Sequence, residues 1–367
     1  MEFFFSPFVL LFLSIVLGLA IGKIRFGGIS LGISGILFVA ILAGFLTGIW
    51  MPQTNAEEIS AIRDTMKVFS KLGTSLFVSV IGLQTGFSVK KGARRAIPAF
   101  GIGAFMSLSG VTGMLLLSAL DPSVSRSAFL GILCGALTST PGLSSTCELL
   151  KEGTEEAVLG YGSAYLPGVL CVVFFAQLNS RHTVKDNSAE VLPDKVKSDF
   201  FLEMSMIGTV ALLGTLLEGR MKALFGISFG STASILTVGL LFGCFGKNSV
   251  GGTAFPAFSP LRNLGLALFF VGTGVTTGTQ MGAFHPKEVF YGTLISLSAI
   301  FCGWLLCKLS PHRENLQTGL ILAGGLTSSP AYSAVTAETG ENGNDFFSFS
   351  YFGALIALIA ALQIICR

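Results

Sequence analysis

Charge is what this sequence has least of. Of its 367 residues only 12% are Asp, Glu, Lys or Arg, about half the roughly 25% of a soluble globular protein, and that deficit excludes most soluble enzymes. Its three histidines, His182, His285 and His312, all lie in polar stretches between apolar runs. Neither a metal cluster nor a haem therefore has ligands, and no cofactor is expected. The seven cysteines include no C-x-x-C pair and sit mostly in apolar runs, where Cys acts as a small hydrophobe. Net charge is +3 and no basic run is longer than KKGARR at 90–95, which leaves no electrostatic footprint for nucleic acid. No His or Asp stands within an apolar span, so an intramembrane enzyme lacks the base that a nucleophile needs. The N-terminus has no charged n-region or small-residue cleavage site, and reads as a first retained span.

What is present suits hydrocarbon. The chain is 51% hydrophobic, with 46 Gly and 33 Phe, the composition of a polytopic membrane protein. Apolar segments of bilayer length fall near 6–22, 29–50, 68–88, 96–118, 127–147 and 157–178, and again near 201–217, 228–246, 261–281, 288–307, 316–337 and 346–366. Between the two sets, RHTVKDNSAEVLPDKVKSDF carries eight charges in twenty residues. The expected organisation is a first membrane repeat over 1–180, a charged linker over 181–200 and a second membrane repeat over 201–367.

The halves share letters in order. LGTSLFVSVIGLQTG (72–86) lies over LGLALFFVGTGVTTG (264–278) with seven identities in fifteen, and GALTSTPGLS (135–144) lies over GGLTSSPAYS (324–333). Ordered pairs of this kind mark an internal duplication. In a helical membrane protein that most often means a transporter of inverted repeats. Lys and Arg mark the cytoplasmic loops. In the first half they favour the loops after segments 1 and 3, and in the second half the bias reverses. The expected fold is therefore all-α, with two inverted repeats of 5–6 transmembrane segments. Both termini are expected outside and the 181–200 linker in the cytoplasm. Inversion needs an odd number of crossings per half, so one segment in each should be broken or re-entrant.

The candidates are the segments holding Thr138-Ser139-Thr140-Pro141 and Thr327-Ser328-Ser329-Pro330. Proline cannot continue a preceding helix, but it suits the start of a new one after a Ser or Thr cap. Thr140 and Ser329 are the expected caps, and all eight residues the expected substrate-binding set. Half-helix starts offer N–H groups and a positive dipole end to an anion such as a carboxylate. The second duplicated stretch has two readings. Its glycines allow close helix packing, or it is also unwound and offers Gln84, Thr85, Thr276 and Thr277 to substrate. Glu148 and Glu338 follow the two prolines by seven and eight residues. They are coupling groups or interfacial charges, as Lys71 and Arg262 are substrate counter-charges or snorkelling ones. Tyr161, Tyr165 and Tyr351 are belt aromatics or substrate contacts.

The duplicated G-x-L-T-[ST]-[ST]-P, at 135–141 and 324–330, is followed in the first half by Y-x-x-x-Y-x-x-G on Tyr161, Tyr165 and Gly168. This pattern resembles the aspartate–alanine exchanger family of bacterial inner-membrane antiporters. The resemblance implies exchange of amino acids or small carboxylates by alternating access in the bacterial cytoplasmic membrane. It differs from many members, which carry a sizeable soluble regulatory module between the halves. The expected partners are small anionic or zwitterionic solutes and the lipid bilayer, with a homodimer left open. A cation/proton antiporter without organic substrate is the alternative.

Overall fold

The computed structural model describes residues 6–23, 25–26, 29–30, 33, 35–51, 56–90, 96–150, 152–180, 200–225, 231–245, 249–250, 253–254, 259–283, 285–310, 317–339 and 344–366. Fourteen helices stand among them. The first seven are α1 (Pro7–Gly22), α2 (Gly35–Trp50), α3 (Ala56–Lys90), α4 (Ile97–Leu120), α5 (Arg126–Ala136), α6 (Thr140–Leu149) and α7 (Thr154–Ser180). The second seven are α8 (Phe200–Phe225), α9 (Ser231–Phe245), α10 (Ser259–Gln280), α11 (Pro286–Leu309), α12 (Thr318–Gly325), α13 (Ser329–Thr339) and α14 (Asn344–Ile365). Two two-residue antiparallel strand pairs, Arg25–Phe26 with Ile29–Ser30 and Ser249–Val250 with Thr253–Ala254, and a 3₁₀ turn at Met281–Ala283 complete the described elements. Six of the described helices, α3, α4, α7, α8, α11 and α14, are long and apolar enough to cross a bilayer.

Starts and stops follow the local chemistry. Ser6 caps α1 by accepting from Val9 N with Pro7 behind it, and Ser125 caps α5 by accepting from Ala128 N. Outward faces are apolar: Phe12, Phe105, Leu116, Leu212 and Phe301 are all more than half exposed, as lipid-facing side chains must be and as water-facing ones rarely are.

The helices form two groups, each with pseudo-two-fold symmetry. In the first group, α1 packs on α2, α2 on α10, α10 on α3, α3 on α9 and α9 on α8. In the second, the chain of contacts runs α5, α7, α11, α4, α14, α12. At the centre of each group a helix meets its own counterpart. Gly73 and Gly265, the duplicated residues, let α3 and α10 touch backbone to backbone, since a Cβ at either would meet the other's carbonyl. Along α4 and α11 the partners run in opposite order: Cys302 Sγ to Phe105 O, Ser109 Oγ to Ser298 O, and Lys287 Nζ to Asp121 Oδ2. Equivalent helices are thus antiparallel, so the symmetry axis lies across them and the repeats are inverted.

The odd crossing number that inversion requires comes from α5 and α6. Cys134 Sγ lies 3.5 Å from Thr146 Oγ1, twelve residues on, where a continuous helix would place them about 18 Å apart. The segment turns back at the T-S-T-P break as a re-entrant hairpin. The α12–α13 segment makes the equivalent break and internal packing. The first hairpin enters and leaves on the face where α4 ends, here called distal. The second does so on the face where α7 ends, here called proximal.

Candidate functional site

Each break is built the same way. At the end of α5, Thr138 takes a left-handed conformation at φ 50, and Thr327 does the same at the end of α12. Thr138 N donates to Gly135 O and Ser139 N to Cys134 O; Thr327 N and Ser328 N repeat this on Gly324 O and Ala323 O. This is a Schellman ending, in which glycine is the usual left-handed residue. A β-branched residue there costs about 1–3 kcal/mol, and such strain persists only where surroundings hold it. What holds it is the other repeat. Thr138 Oγ1 donates to Leu326 O at 2.7 Å, and Thr327 Oγ1 to Leu137 O at 3.1 Å. The two hairpin tips therefore clasp each other reciprocally at the symmetry axis.

The caps fall one residue earlier than expected. Ser139 Oγ accepts from Gly142 N and Ser328 Oγ from Ala331 N, so Ser139 and Ser328 are the N-caps, both fully buried. Thr140 and Ser329 are the first helical residues, and Pro141 and Pro330 the second. The reason is the ending before them: the Schellman bonds use the N–H of Ser139 and Ser328 and leave their side chains facing the new helix. Since the caps take one amide and proline has none, the N–H of Thr140 and of Ser329 is what each half-helix start has left to offer.

Those starts open into a narrow crevice lined by Thr138, Thr140, Pro141, Thr327, Ser329, Thr74, Phe77, Val78, Phe269 and Tyr351. It lies between the two helix groups, with α3 and α10 on one wall and the hairpin tips and α14 on the other. None of the ten lining residues is charged. Thr140 Oγ1 lies 3.0 Å from the Tyr161 hydroxyl, and Tyr161 stacks on Tyr165.

The remaining expected residues fall elsewhere. The reading of a second unwound stretch is corrected: α3 and α10 are helical through Gln84, Thr85, Thr276 and Thr277. Thr85 and Thr276 donate to Ile81 O and Gly272 O within their own helices. Gly82 and Gly86 meet α9 backbone, and Gly274 and Gly278 meet α2, which is the close-packing use of small residues. Arg262 is buried, and its guanidinium donates to the Tyr332 hydroxyl, two residues past Pro330, whereas Lys71 is exposed. Glu148 and Glu338 fall in α6 and α13, but their side chains lie outside the described residues, as does the linker at 181–199. Phe77, Phe269 and Thr74 line the crevice without having been singled out. The first two are an identical pair of the duplicated LG-x-x-LF stretch, which was the available signal.

At the distal face the repeats are also tied. Asp121, after α4, accepts from Tyr291 OH at 2.7 Å and from Lys287 Nζ at 3.2 Å, and Ser163 Oγ donates to the buried Glu288. Hydrogen bonds from the Ser123 hydroxyl, then Tyr291 and the Ser123 amide, hold the Asp121 carboxyl well below the usual carboxylate range. At the equivalent proximal positions stand Ser310, Pro98 and Ile102.

Inverted repeats, two re-entrant hairpins crossing at their tips and a crevice with hydroxyl groups in an otherwise apolar lining at that crossing define a multi-pass membrane protein of the permease type. A family model described as the membrane region of a predicted permease, that of the aspartate–alanine exchangers, matches residues 10–180 and again 206–367; the chain belongs to that family. It is 31% identical over 347 residues to an uncharacterized transporter of Desulfotalea psychrophila, covering 89% of this chain and 58% of that one. An uncharacterized transporter of Rhodopirellula baltica is 34% identical over 174 residues, 47% of this chain and 29% of that one. One of Corynebacterium diphtheriae is 31% identical over 227 residues, 58% and 37% respectively. The chain thus spans well under two thirds of the length of these relatives.

Proposed function

We propose that this chain is a secondary active transporter, an antiporter that exchanges small carboxylated solutes such as amino acids or dicarboxylates across the bacterial cytoplasmic membrane by alternating access. The observation that carries this is the crevice at the hairpin crossing. Two half-helix starts face it, each with roughly half a positive charge, among hydroxyls and with no charged side chain in the lining. A carboxylate fits that field, whereas a bare cation would be repelled by it. The crevice lies between two helix groups that touch each other sparsely, which supports their moving relative to one another so that it opens to either face. The names of the relatives support transport as the activity. The Lys/Arg distribution supports a cytoplasmic proximal face, with solute and lipid as the partners.

The test is counterflow in proteoliposomes. Vesicles loaded with unlabelled aspartate, alanine or succinate should accumulate the labelled solute, with competition by other carboxylates and none by the corresponding amides. A competitor lacking every carboxylate would overturn the anion reading. Ion-driven proton movement with no solute counterflow would favour cation/proton exchange instead.

A further inference from the structure

The two repeats carry a matched pair of glutamines that are in different states. The register of α7 against α14 is fixed by like contacts. Ala164 packs on Gly292 as Ser350 packs on Gly103, and Tyr161 O lies beside Gly135 as Phe347 O lies beside Gly324. In that register Gln177 of α7 and Gln363 of α14 are equivalents, as are Ala334 of α13 and Ser145 of α6. Gln177 is fully buried, and its Nε2 donates to Ala334 O at 3.1 Å, tying α7 to the outgoing arm of the other repeat's hairpin. Gln363 is half-buried, but its Nε2 is hidden from solvent and has no hydrogen-bond partner among the described residues, and neither has the buried Ser145 Oγ. Leu358, five residues before Gln363, reaches Gly142, three before Ser145, so α14 runs beside α6 as α7 runs beside α13.

One member of a symmetric pair of bonds is made and the other is not. A hidden amide N–H left without a partner is costly, and exchange of the bond between the repeats would give each of the two amides a partner in one of two states. The arms concerned run from the crevice to opposite faces: α13, starting at Ser329, to the proximal face, and α6, starting at Thr140, to the distal one. Resting on the transporter reading above, we propose that Gln177 and Gln363 are alternating latches on α13 and α6. With Gln177 bonded, the proximal arm is held shut and the distal arm is loose. In the opposite state the repeats exchange conformations, Gln363 binds α6 at Ser145, and Gln177 lets α13 go. Because each state makes one bond and leaves one amide unpaired, this pair of bonds favours neither state over the other. Gln177 and Gln363 are positioning residues that act through the arms and not on the solute.

The test needs no knowledge of the solute. In a background without the seven native cysteines, Thr74→Cys places a reporter in the crevice wall, and a membrane-impermeant maleimide is applied from each face in vesicles of defined orientation. Gln177→Met removes the made latch, and should raise proximal labelling and lower distal labelling by about two- to tenfold, the weight of one hydrogen bond. Gln363→Met removes the waiting one and relieves the unpaired amide of the present state, so it should move labelling the other way. The Leu variants at both positions repeat the comparison if a Met variant fails to fold. Shifts of the same sign in both variants, or none in folded protein, would overturn the latch. Failure of carboxylate counterflow with opposite shifts intact would instead overturn the solute reading and leave the latch standing.

Discussion

The two hairpins agree at their tips and differ along their arms. Thr138 and Thr327 share one backbone conformation, one set of closing hydrogen bonds and one reciprocal contact. A few residues further on the likeness ends. Thr140 meets a tyrosine hydroxyl, but the residue equivalent to Tyr161 in the other repeat is Phe347. Conversely, Tyr332 is held by Arg262, where the first repeat has Leu143 and Ser70. The tips are alike because each completes the other: the strain at one left-handed threonine is held by the carbonyl of the second break, so a change in one would unmake both. The arms face different surroundings and are free to diverge. Symmetry thus sets where the crevice is, and asymmetry sets what each of its ends can hold.

The strongest way to break the symmetric part is steric. Gly135 and Gly324 let the hairpins seat against α7 and α14, and a Cβ at either would run into the carbonyl of Tyr161 or of Phe347. Gly135→Val and Gly324→Val are each expected to cost about 3 kcal/mol, the upper end of overpacking because backbone cannot yield. The loss should be similar in the two, read as thermal unfolding in detergent. One variant stable and the other not would show that the hairpins are unequally seated.

The next effect is electronic. Thr138→Val and Thr327→Val keep the branched side chain in the left-handed turn but leave the facing Leu326 or Leu137 carbonyl without its hydroxyl. Each should lose about 1–3 kcal/mol. The double variant should lose less than twice that, since the two bonds support one contact. Full additivity would mean that the tips hold their shape independently.

Much of this frame was legible in the sequence, and the parts that were not have identifiable causes. Proline in an apolar run with hydroxyl residues before it announced a break, because proline cannot take a helix forward, and the duplication announced that there would be two. The cap position was not legible. Ser139 and Thr140 are chemically equal candidates, and what chooses between them is a left-handed Thr138, a conformation that a β-branched residue gives no reason to expect. The glycines at 82, 86, 274 and 278 were visible, but their partners on α9 and α2 were not, so close packing and unwinding could not be separated. The equivalence of Tyr161 with Phe347 and of Gln177 with Gln363 was hidden because the loop before α14 shifts the register between the hairpin and the following helix. A gapless comparison of letters misses it.

The smallest effect sharpens the asymmetric part. The Tyr161 hydroxyl lies 3.0 Å from Thr140 Oγ1, and Thr140 lines the crevice beside the free N–H of its own helix start. Tyr161→Phe keeps the ring, its stacking on Tyr165 and the packing of α7, and removes only the group that fixes the direction of the Thr140 hydroxyl. A net hydrogen bond of this kind is worth about 0.5–1.5 kcal/mol. If Thr140 is oriented for the solute, that energy should appear as a weaker apparent affinity, roughly two- to tenfold, at nearly unchanged maximal rate. If the bond only packs the arm, it should appear as lost thermal stability with affinity unchanged. The second repeat supplies the control. Phe347→Tyr with Ser329→Thr gives the other hairpin the same two groups, and in the Tyr161→Phe background it should recover part of the affinity if either end of the crevice can seat the carboxylate. No recovery, with the hydroxyl pair formed and the protein folded, would mean that the solute sits in one orientation only, fixed by the first repeat.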